Sequence, residues 1–379
     1  MSTSRHICYL TGTRADFGLM ASTLDLLHKH PGLKLSVLVT GMHLEPAFGL
    51  TVNEIEQRGF DIVARVPCAM EHADGGQMAR NIGLMLQRFV DVLQQQRPDA
   101  LLLLGDRGEM LAGALAAIHL GIPVVHLHGG ERSGTVDESV RHAISKLAHI
   151  HLTSTEASRE RLIQMGERPE LVTVVGAPGL DGLAEQARGS RVQLCAREGL
   201  DAEGRLALLV FHPVLQEAAQ AGAQTTAIVQ TLLDEDYQVL ALMPNADAGS
   251  ADVRAALSAV EMPGRLVLKT HLPRPEFVAW MAAVDVMVGN SSSGIIEAAS
   301  FGTPVINLGS RQNMRERNAN VKDVPIRAEA LQEALTSLGP RAAPPYLNVY
   351  GDGKAGPRIA DYLASVSLAP ALLDKCNAY

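Results

Sequence analysis

Residues 284–298 have the sequence VDVMVGNSSSGIIEA. The apolar run at 284–288 predicts a buried strand, and Ser291, Ser292 and Ser293 can cap a helix that begins near Gly294. The unpaired amides of a helix start carry partial positive charge, so a diphosphate would bind here, with Glu297 one turn further on to hold a ribose diol. A capped turn without a ligand has the same features, so this segment alone supports both interpretations equally.

The rest of the chain repeats this strand-then-helix pattern. Many of the strand-like runs lack polar alternation, as in the four leucines at 101–104, which is expected when helices cover both faces of a parallel sheet. We predict an α/β protein with strands at 7–10, 35–40, 100–104, 124–127, 151–154, 172–175, 206–211, 239–243, 266–269, 284–288 and 305–308.

The chain of 379 residues exceeds the usual size of one core, so two domains are expected. The apolar pattern is weakest between Gly176 and Gly204, which places the boundary there. We predict two Rossmann-like domains facing across a cleft, at 1–185 and 186–355. Residues 356–379 would form a helix that returns to the first domain.

Composition excludes several classes of function. Hydrophobic residues make up 47% and charged residues 20%, as in a soluble enzyme, and the net charge of −8 opposes nucleic-acid or anionic-membrane surfaces. No apolar run approaches the roughly 18 residues of a membrane span, which predicts a cytoplasmic protein. The four cysteines lack paired spacing and are expected to be reduced, structural thiols.

Polar residues collect where the predicted strands end. In open parallel sheets ligands bind beyond the carboxyl ends of the strands. Packing alone would scatter these side chains along the elements, whereas two sheets facing each other would bring both sets into one cleft. The strand-end residues are Arg14, His43, Asp106 with Arg107, His128 to Glu131, His212, Asn245 and the serines at 291–293.

Several of these residues have a structural alternative. Arg14 follows Gly12 at the first strand end, where a guanidinium can grip a diphosphate, although a helix cap with a salt-linked arginine fits the turn as well. Asp106 follows the buried leucines, so it is either a helix cap or an acid/base group, and Glu131 and Asp137 share this ambiguity. Three carboxylates in one cleft favour proton chemistry, because crowding of like charges can raise one pKa.

Histidines and arginines complete the set. His126 with His128, and His149 with His151, place two imidazoles on one side of an extended segment, but they lack a cysteine or helical histidine partner, so we predict no metal site. His212 ends the first strand of the second domain and could protonate a departing phosphate oxygen or bond a carbonyl. Arg311 follows another strand end and could neutralise phosphate.

Taken together, the ordered motifs closely resemble the hydrolysing UDP-N-acetylglucosamine 2-epimerases of bacterial sialic- and legionaminic-acid pathways, over nearly the whole chain. They are Thr11–Gly18, Gly41–Leu44, Gly105–Arg107, Gly129–Glu131, Asp137 with Arg141–Lys146, Phe211–Val214, Pro244–Gly249, Asn290–Glu297 and Arg311-Gln312. The resemblance implies a fold of the glycosyltransferase B type, with UDP held mainly by the second domain. It implies a reaction without cofactor or metal, in which a base removes the C2 proton, UDP leaves to give a glycal, and water adds to give the free 2-epimer.

The resemblance also implies roles for the residues that match the family's motifs. His212 in its protonated form, Arg14 and the serine turn would stabilise the leaving UDP, and a homodimer or homotetramer is expected. The catalytic residues would be Asp106, Glu131, Asp137, His212 and His128. The residues that bind UDP would be Arg14, Asn245, Ser291, Ser292, Ser293, Gly294, Glu297 and Arg311. The residues that bind the sugar would be His43, Arg107 and Arg141.

One departure from the sialic-acid branch bears on the substrate. That branch has a glutamate where this chain has His128, and the sequence His-x-His-Gly-Gly-Glu at 126–131 is more like the branch that acts on UDP-N,N′-diacetylbacillosamine, a 4-acetamido-6-deoxy sugar. Leu215 also replaces a polar residue common in the family. We therefore favour the bacillosamine-type substrate. The alternatives are UDP-N-acetylglucosamine giving N-acetylmannosamine, a non-hydrolysing epimerase, a B-type glycosyltransferase and a non-catalytic sensor of UDP-sugars.

Overall fold

The structure is a computed structural model that describes residues 4–70, 74–260, 262–339, 341 and 346–379. Its first half alternates strands and helices around one parallel sheet. The order of strands across this sheet is β3-β2-β1-β4-β5-β6-β7. The elements are β1 (Arg5–Thr11), α1 (Arg14–Lys29), β2 (Leu33–Thr40), α2 (Val52–Gln57), β3 (Asp61–Val66), α3 (Gly75–Gln96), β4 (Ala100–Leu104), α4 (Gly108–His119), β5 (Val124–Leu127), α5 (Val136–Leu147), β6 (Ile150–Thr153), α6 (Glu156–Gln164) and β7 (Val172–Val174).

The second half repeats this organisation with the strand order β10-β9-β8-β11-β12-β13. All strand pairs in the described residues are parallel. The elements are α7 (Leu183–Gln186), α8 (Arg191–Glu198), β8 (Arg205–Val210), α9 (Ala221–Asp234), β9 (Tyr237–Leu242), α10 (Ser250–Ser258), β10 (Leu266–Lys269), α11 (Arg274–Ala283), β11 (Val286–Gly289), α12 (Ser292–Ile296), β12 (Val305–Leu308), β13 (Val321–Val324), α13 (Ala328–Thr336) and α14 (Ala355–Ser365).

The predicted α/β architecture of two Rossmann-like domains is confirmed, and β4 shows why its sequence lacks alternation. Leu102 and Leu104 pack into the core on the side of α1 and α14, whereas Leu101 and Leu103 pack on the side of α3 and α4. Every residue of the strand is therefore buried. None of the helices within the described ranges has both the length and the apolar composition to span a lipid bilayer.

Two strands, β3 and β13, are absent from the sequence prediction. Both lie at the edge of a sheet and have mostly exposed or half-exposed side chains. Asp61 and Arg65 in β3, and Lys322 and Asp323 in β13, are exposed and interrupt the apolar pattern from which a strand is predicted.

The chain crosses between the domains twice, at adjacent positions. On the first crossing the Ala177 amide donates to the Tyr350 carbonyl on the second, at 2.8 Å. The predicted boundary at 185/186 falls inside α7, whose Leu183 packs with residues of the second domain. Beyond the second crossing, α14 packs against α1, and its Ile359 and Leu363 join the core of the first domain.

The buried carboxylate of Asp181 fastens the start of α14 to the first crossing. It accepts the Ala355 amide at 2.9 Å and also accepts the Gly356 amide. Replacing Asp181 by alanine is expected to lower the free energy of unfolding by about 1–2 kcal/mol, because both helix-start amides lose their acceptor. Urea denaturation followed by circular dichroism measures this change. Asp181→Asn keeps an acceptor oxygen and should lose less, and equal losses in the two variants would contradict the capping role.

Candidate functional site

The predicted strand-end residues meet at the switch point of each sheet. Strand β1 lies between β2 and β4, and β8 lies between β9 and β11, so the chain leaves these strands in opposite directions and opens a crevice. Arg14 and Asp106 follow β1 and β4, while His212 and Ser291 follow β8 and β11. The two crevices face each other across the domain interface and form one cleft.

Two neighbouring cavities make up most of this cleft. The first has a volume of about 720 Å³ and combines apolar walls, such as Leu242, Leu272 and Phe277, with a few polar groups. The second has a volume of about 890 Å³, and nine of its lining side chains are charged. They share the wall formed by Ala15, Leu19, His212, Asn245, Ser291 and Ser292.

The serine turn lies in this shared wall. Helix α12 begins at Ser292, two residues before the predicted start, and Ser291 caps it by accepting the Ser293 amide at 3.3 Å. Gly289 has φ +135°, and a Cβ there would lie 2.1 Å from the Val210 carbonyl oxygen, so only glycine fits between β11 and β8. Ser291 therefore caps the helix, as one of the two interpretations of the sequence predicted. Ser291 and Ser292 also line both cavities.

Arg14 crosses from the first domain to the second. Its guanidinium donates to the Thr270 carbonyl and, at 3.3 Å, to the Met243 carbonyl, rather than to the capping carboxylate of Asp16. Burial, and then the charge of Arg254, lower the pKa of Arg14 to about 10, so it is still a cation at neutral pH. In the described part of the chain no carboxylate lies within salt-bridge distance of it. Arg14 is thus a cation in the first cavity, and its guanidinium can form an ion pair with an anionic ligand.

His212 is held in the shared wall by Asn290. The Asn290 side chain accepts the His212 amide at 2.8 Å and donates to the His212 carbonyl at 2.7 Å, which locks the two switch-point loops together. Burial, followed by the charge of Arg311, lowers the pKa of His212 to about 3. The imidazole is therefore neutral in the ligand-free protein. This differs from the expected protonated form, which requires an added negative charge nearby.

Glu297 is buried beside the first cavity and forms an ion pair with Arg274, which the sequence analysis did not single out. Arg274 also donates to the Gly179 carbonyl at 2.9 Å, so it ties the second domain to the segment between the domains. Arg274 lies five residues beyond the end of β10. It could therefore have been predicted from the rule that ligands bind beyond the carboxyl ends of parallel strands.

Five carboxylates line the second cavity. Four of them are each paired with an arginine, whereas Asp16 accepts hydrogen bonds from the Thr13 amide and hydroxyl. Asp106 pairs with Arg141 inside the first domain. The other three pairs cross the cleft: Glu131 with Arg315, Asp137 with Arg311 at 3.5 Å, and Asp247 with Arg107 at 3.3 Å. The expected crowding of like charges is therefore wrong, since Asp106, Glu131 and Asp137 each face an arginine. Burial opposes ionisation of Asp247, but Arg107 and Arg311 outweigh it and lower its pKa.

Asp106 is not a helix cap. The cap position of α4 is Arg107, and its side chain makes no capping hydrogen bond. One oxygen of Asp106 binds Arg141, which is fully buried and also donates to the Glu131 carbonyl at 3.1 Å. Burial lowers the pKa of Arg141 to about 9, so its guanidinium is still charged at neutral pH. Arg141 thus fixes Asp106 at the cavity and leaves the second carboxylate oxygen free of described partners.

His128 and Glu131 form a buried pair on the same cavity. The His128 Nδ1 lies 2.6 Å from Glu131 Oε1, and the carboxylate also accepts the Ser154 hydroxyl and Arg315. Burial and the charge of Arg315 lower the pKa of His128 to about 3, so its ring is neutral. A carboxylate only accepts, so Nδ1 carries the proton and Nε2 is a bare acceptor. Nε2 is buried without a partner in the described residues, and His128 lines the cavity.

His43, His126 and His151 are each held by hydrogen bonds to protein groups. His43 is fully buried, and its two ring nitrogens bind Thr11 and Thr51 at 2.9 and 2.8 Å, so direct contact with a sugar is not supported. His126 is likewise occupied by Ser145 and the Gly105 carbonyl, and His151 binds Glu167. Asp247 and Arg315 also line the second cavity, although neither was among the predicted site residues.

The chain matches the sequence pattern of one described family, UDP-N-acetylglucosamine 2-epimerase, over residues 25–364. It is 48% identical over 376 residues to the UDP-N,N′-diacetylbacillosamine 2-epimerase (hydrolysing) of Legionella pneumophila, covering 99% of this chain and 100% of that one. It is 32% identical to the UDP-N-acetylglucosamine 2-epimerase of Neisseria meningitidis serogroup B, covering 84% and 83%. It is 31% identical to the GDP/UDP-N,N′-diacetylbacillosamine 2-epimerase (hydrolysing) of Campylobacter jejuni, covering 85% of each.

The fold is similar to that of a solved UDP-GlcNAc 2-epimerase from Neisseria meningitidis bound to UDP-GlcNAc. The TM-score is 0.77 at 19% identity, with 94% of this chain and 99% of that chain covered. The similarity extends over both domains, so the predicted arrangement of two Rossmann-like domains across a cleft is confirmed at the level of the whole chain.

Proposed function

Because the chain belongs to the UDP-N-acetylglucosamine 2-epimerase family, we propose that it hydrolyses and epimerises a UDP-N-acetylated amino sugar. The products are UDP and the free manno-configured 2-epimer. The 2-epimer is then used in the synthesis of nonulosonic acids. The favoured substrate is UDP-N,N′-diacetylbacillosamine, supported by His128 and by the name of the relative with 48% identity.

One observation carries this proposal: the wall with polar groups for a diphosphate separates an apolar cavity from a cavity of carboxylates. We assign the uridine and ribose to the first cavity, where Glu297 lies. The diphosphate would lie against Arg14, His212, Asn245 and the serine turn. The sugar then enters the second cavity, so its C1 and C2 atoms lie between the leaving group and the carboxylates.

The proposed chemistry proceeds by elimination and then addition. A carboxylate removes the C2 proton while the C1–O bond breaks and its electron pair leaves with UDP, which gives a glycal. Water then adds its oxygen to C1, and a proton returns to C2 from the opposite face. We assign the two proton transfers to Asp106 and Asp137, because both are partly exposed to the cavity, whereas Glu131 is fully used in holding His128 and Arg315.

Arg14 and His212 would stabilise the charge that develops on the departing phosphate. Neutral Nε2 of His128 would accept a hydrogen bond from the sugar, and a carboxylate at this position would add charge instead. Arg107 and Arg141 would act by positioning Asp247 and Asp106.

The test is incubation of the protein with each of the two UDP-sugars in deuterated water. We expect release of UDP and of a manno-configured sugar that carries deuterium at C2, with the diacetylated sugar turned over more efficiently. An equilibrium mixture of intact UDP-sugars would indicate a non-hydrolysing epimerase. Transfer of the sugar to an acceptor would indicate a glycosyltransferase, and tight binding without turnover would indicate a sensor.

Binding of UDP is expected to take up a proton at His212. Burial, and then the charge of Arg311, lower the pKa of this imidazole to about 3 without ligand. A diphosphate beside the ring would offset the charge of Arg311 and favour the imidazolium, so the folded pKa rises on binding. UDP affinity should then fall as pH rises through the pKa of the complex. Calorimetry in two buffers of different ionisation enthalpy measures the uptake. UDP's own ionisation cancels in a comparison with His212→Asn, and equal uptake by both proteins would contradict the protonation of His212.

A further inference from the structure

A third cavity of about 350 Å³ lies beyond the second, at the end of the cleft away from the first. It shares Asp137, Asp247 and Arg311 with the second cavity and shares no lining residue with the first. The three cavities therefore follow one another along the cleft. A substrate with its nucleotide in the first cavity and its reacting carbons in the second directs the far side of its sugar ring towards the third.

The walls of the third cavity change from charged to apolar. At its neck, Arg311 lies 3.5 Å from Asp137, and Asp247 lies 3.3 Å from Arg107. Beyond the neck, the lining includes Val136 at the start of α5 and Val214 and Leu215 after β8. Val214 is buried, whereas Leu215 has 39% of its surface exposed in the ligand-free protein. Together with Val136 and Val214, Leu215 gives this cavity apolar surface that a ligand can cover.

From this order of charged and apolar walls, which rests on the function proposed above, we infer that the third cavity binds the acetamido group at C4 of the sugar. C4 lies across the ring from C1, which bears the diphosphate. The amide N–H would donate to Asp137 or Asp247, and the amide carbonyl would accept from Arg311. The methyl group would lie against Val136, Val214 and Leu215. A hydroxyl at C4 can form hydrogen bonds with the charged residues at the neck. It leaves Val136, Val214 and Leu215 exposed to water.

The experiment compares the ratio of kcat/KM for UDP-N,N′-diacetylbacillosamine to that for UDP-N-acetylglucosamine in three variants. Leu215→Asn and Val136→Thr each replace an apolar group by a polar one of similar size. Each is expected to lower this ratio by about tenfold, mainly through a higher KM for the diacetylated sugar, because a methyl contact is made equally in the bound and transition states. Leu347→Asn makes the same exchange at a leucine that is 89% exposed and lies outside the cleft, so its ratio should not change.

The outcomes separate this inference from the proposed function. Turnover of the diacetylated sugar by the wild type, with the ratio unchanged in Leu215→Asn and Val136→Thr, would overturn the subsite and leave the function standing. An equal loss of both activities, with melting temperatures unchanged, would also overturn it. Failure of the wild type to release UDP from either sugar would overturn the function and the subsite together.

Discussion

Replacing Asp106 by asparagine is expected to lower kcat by about 10²- to 10⁴-fold, the range typical for loss of a general acid or base. The amide keeps the size of the side chain and an oxygen for Arg141, but it can neither remove nor return a proton at C2. The effect should appear in kcat and in kcat/KM alike. Release of UDP and exchange of deuterium into C2 are the two measurements, and both should fall together.

Affinity for UDP distinguishes a chemical effect of this variant from a structural one. Asp106 lines the second cavity and not the first, so the Kd for UDP should stay within about threefold of the wild-type value. Asp25→Asn is a matched control, because Asp25 also pairs with an arginine, Arg58 at 2.6 Å, away from the cleft. Wild-type turnover by the Asp106 variant would remove Asp106 from the proton-transfer steps.

The second large effect is expected for His212→Ala, with kcat lowered by about 10²- to 10³-fold, as for loss of one donor to a developing oxyanion. His212 lies in the wall between the cavities, where the bond from C1 to the leaving phosphate would break. Its loss should weaken UDP binding as well, because the departing and the departed diphosphate occupy the same place. Steady-state kinetics and calorimetry with UDP measure the two effects.

Two further variants guard against an effect on folding. His119→Ala removes an exposed histidine on α4, far from the wall, and should behave as the wild type. Asn290→Ala leaves His212 in place but removes the side chain that locks its loop, so it should show a smaller loss than His212→Ala. A fully active His212→Ala protein would exclude the role in leaving-group departure.

Most of the fold was predictable because buried parallel strands have unmistakable sequences. Ala100–Leu104 and Val124–Leu127 were placed to the residue, since each is a short, fully buried run between helical segments. The strands β3 and β13 were not found, because exposed charged residues interrupt their apolar pattern, whereas the edge strand β10 begins with three apolar residues. The switch points were predictable only in part: the strand ends were visible in the sequence, but strand order is a long-range property.

For the site, the sequence indicated which side chains gather and not which of them pair. Asp106, Glu131 and Asp137 were expected to repel one another, yet each is matched by an arginine from a different element. Arg315 and Asp247 lie in the second domain, and nothing near them in the sequence indicates a partner in the first. His43 was predicted to contact the sugar because it follows a strand end. In the structure, both of its ring nitrogens form hydrogen bonds with threonines instead.

The double crossing has a consequence for how the protein is made. Helix α14 supplies part of the first domain's core, yet the ribosome synthesises it after the whole second domain. The core of the first domain therefore stays incomplete, with the side of α1 that contacts α14 uncovered, until residues 355–365 have left the exit tunnel. The second domain, whose sheet is built from residues 205–324, can fold first. Nascent chains halted before residue 355 should thus be the ones that bind chaperones.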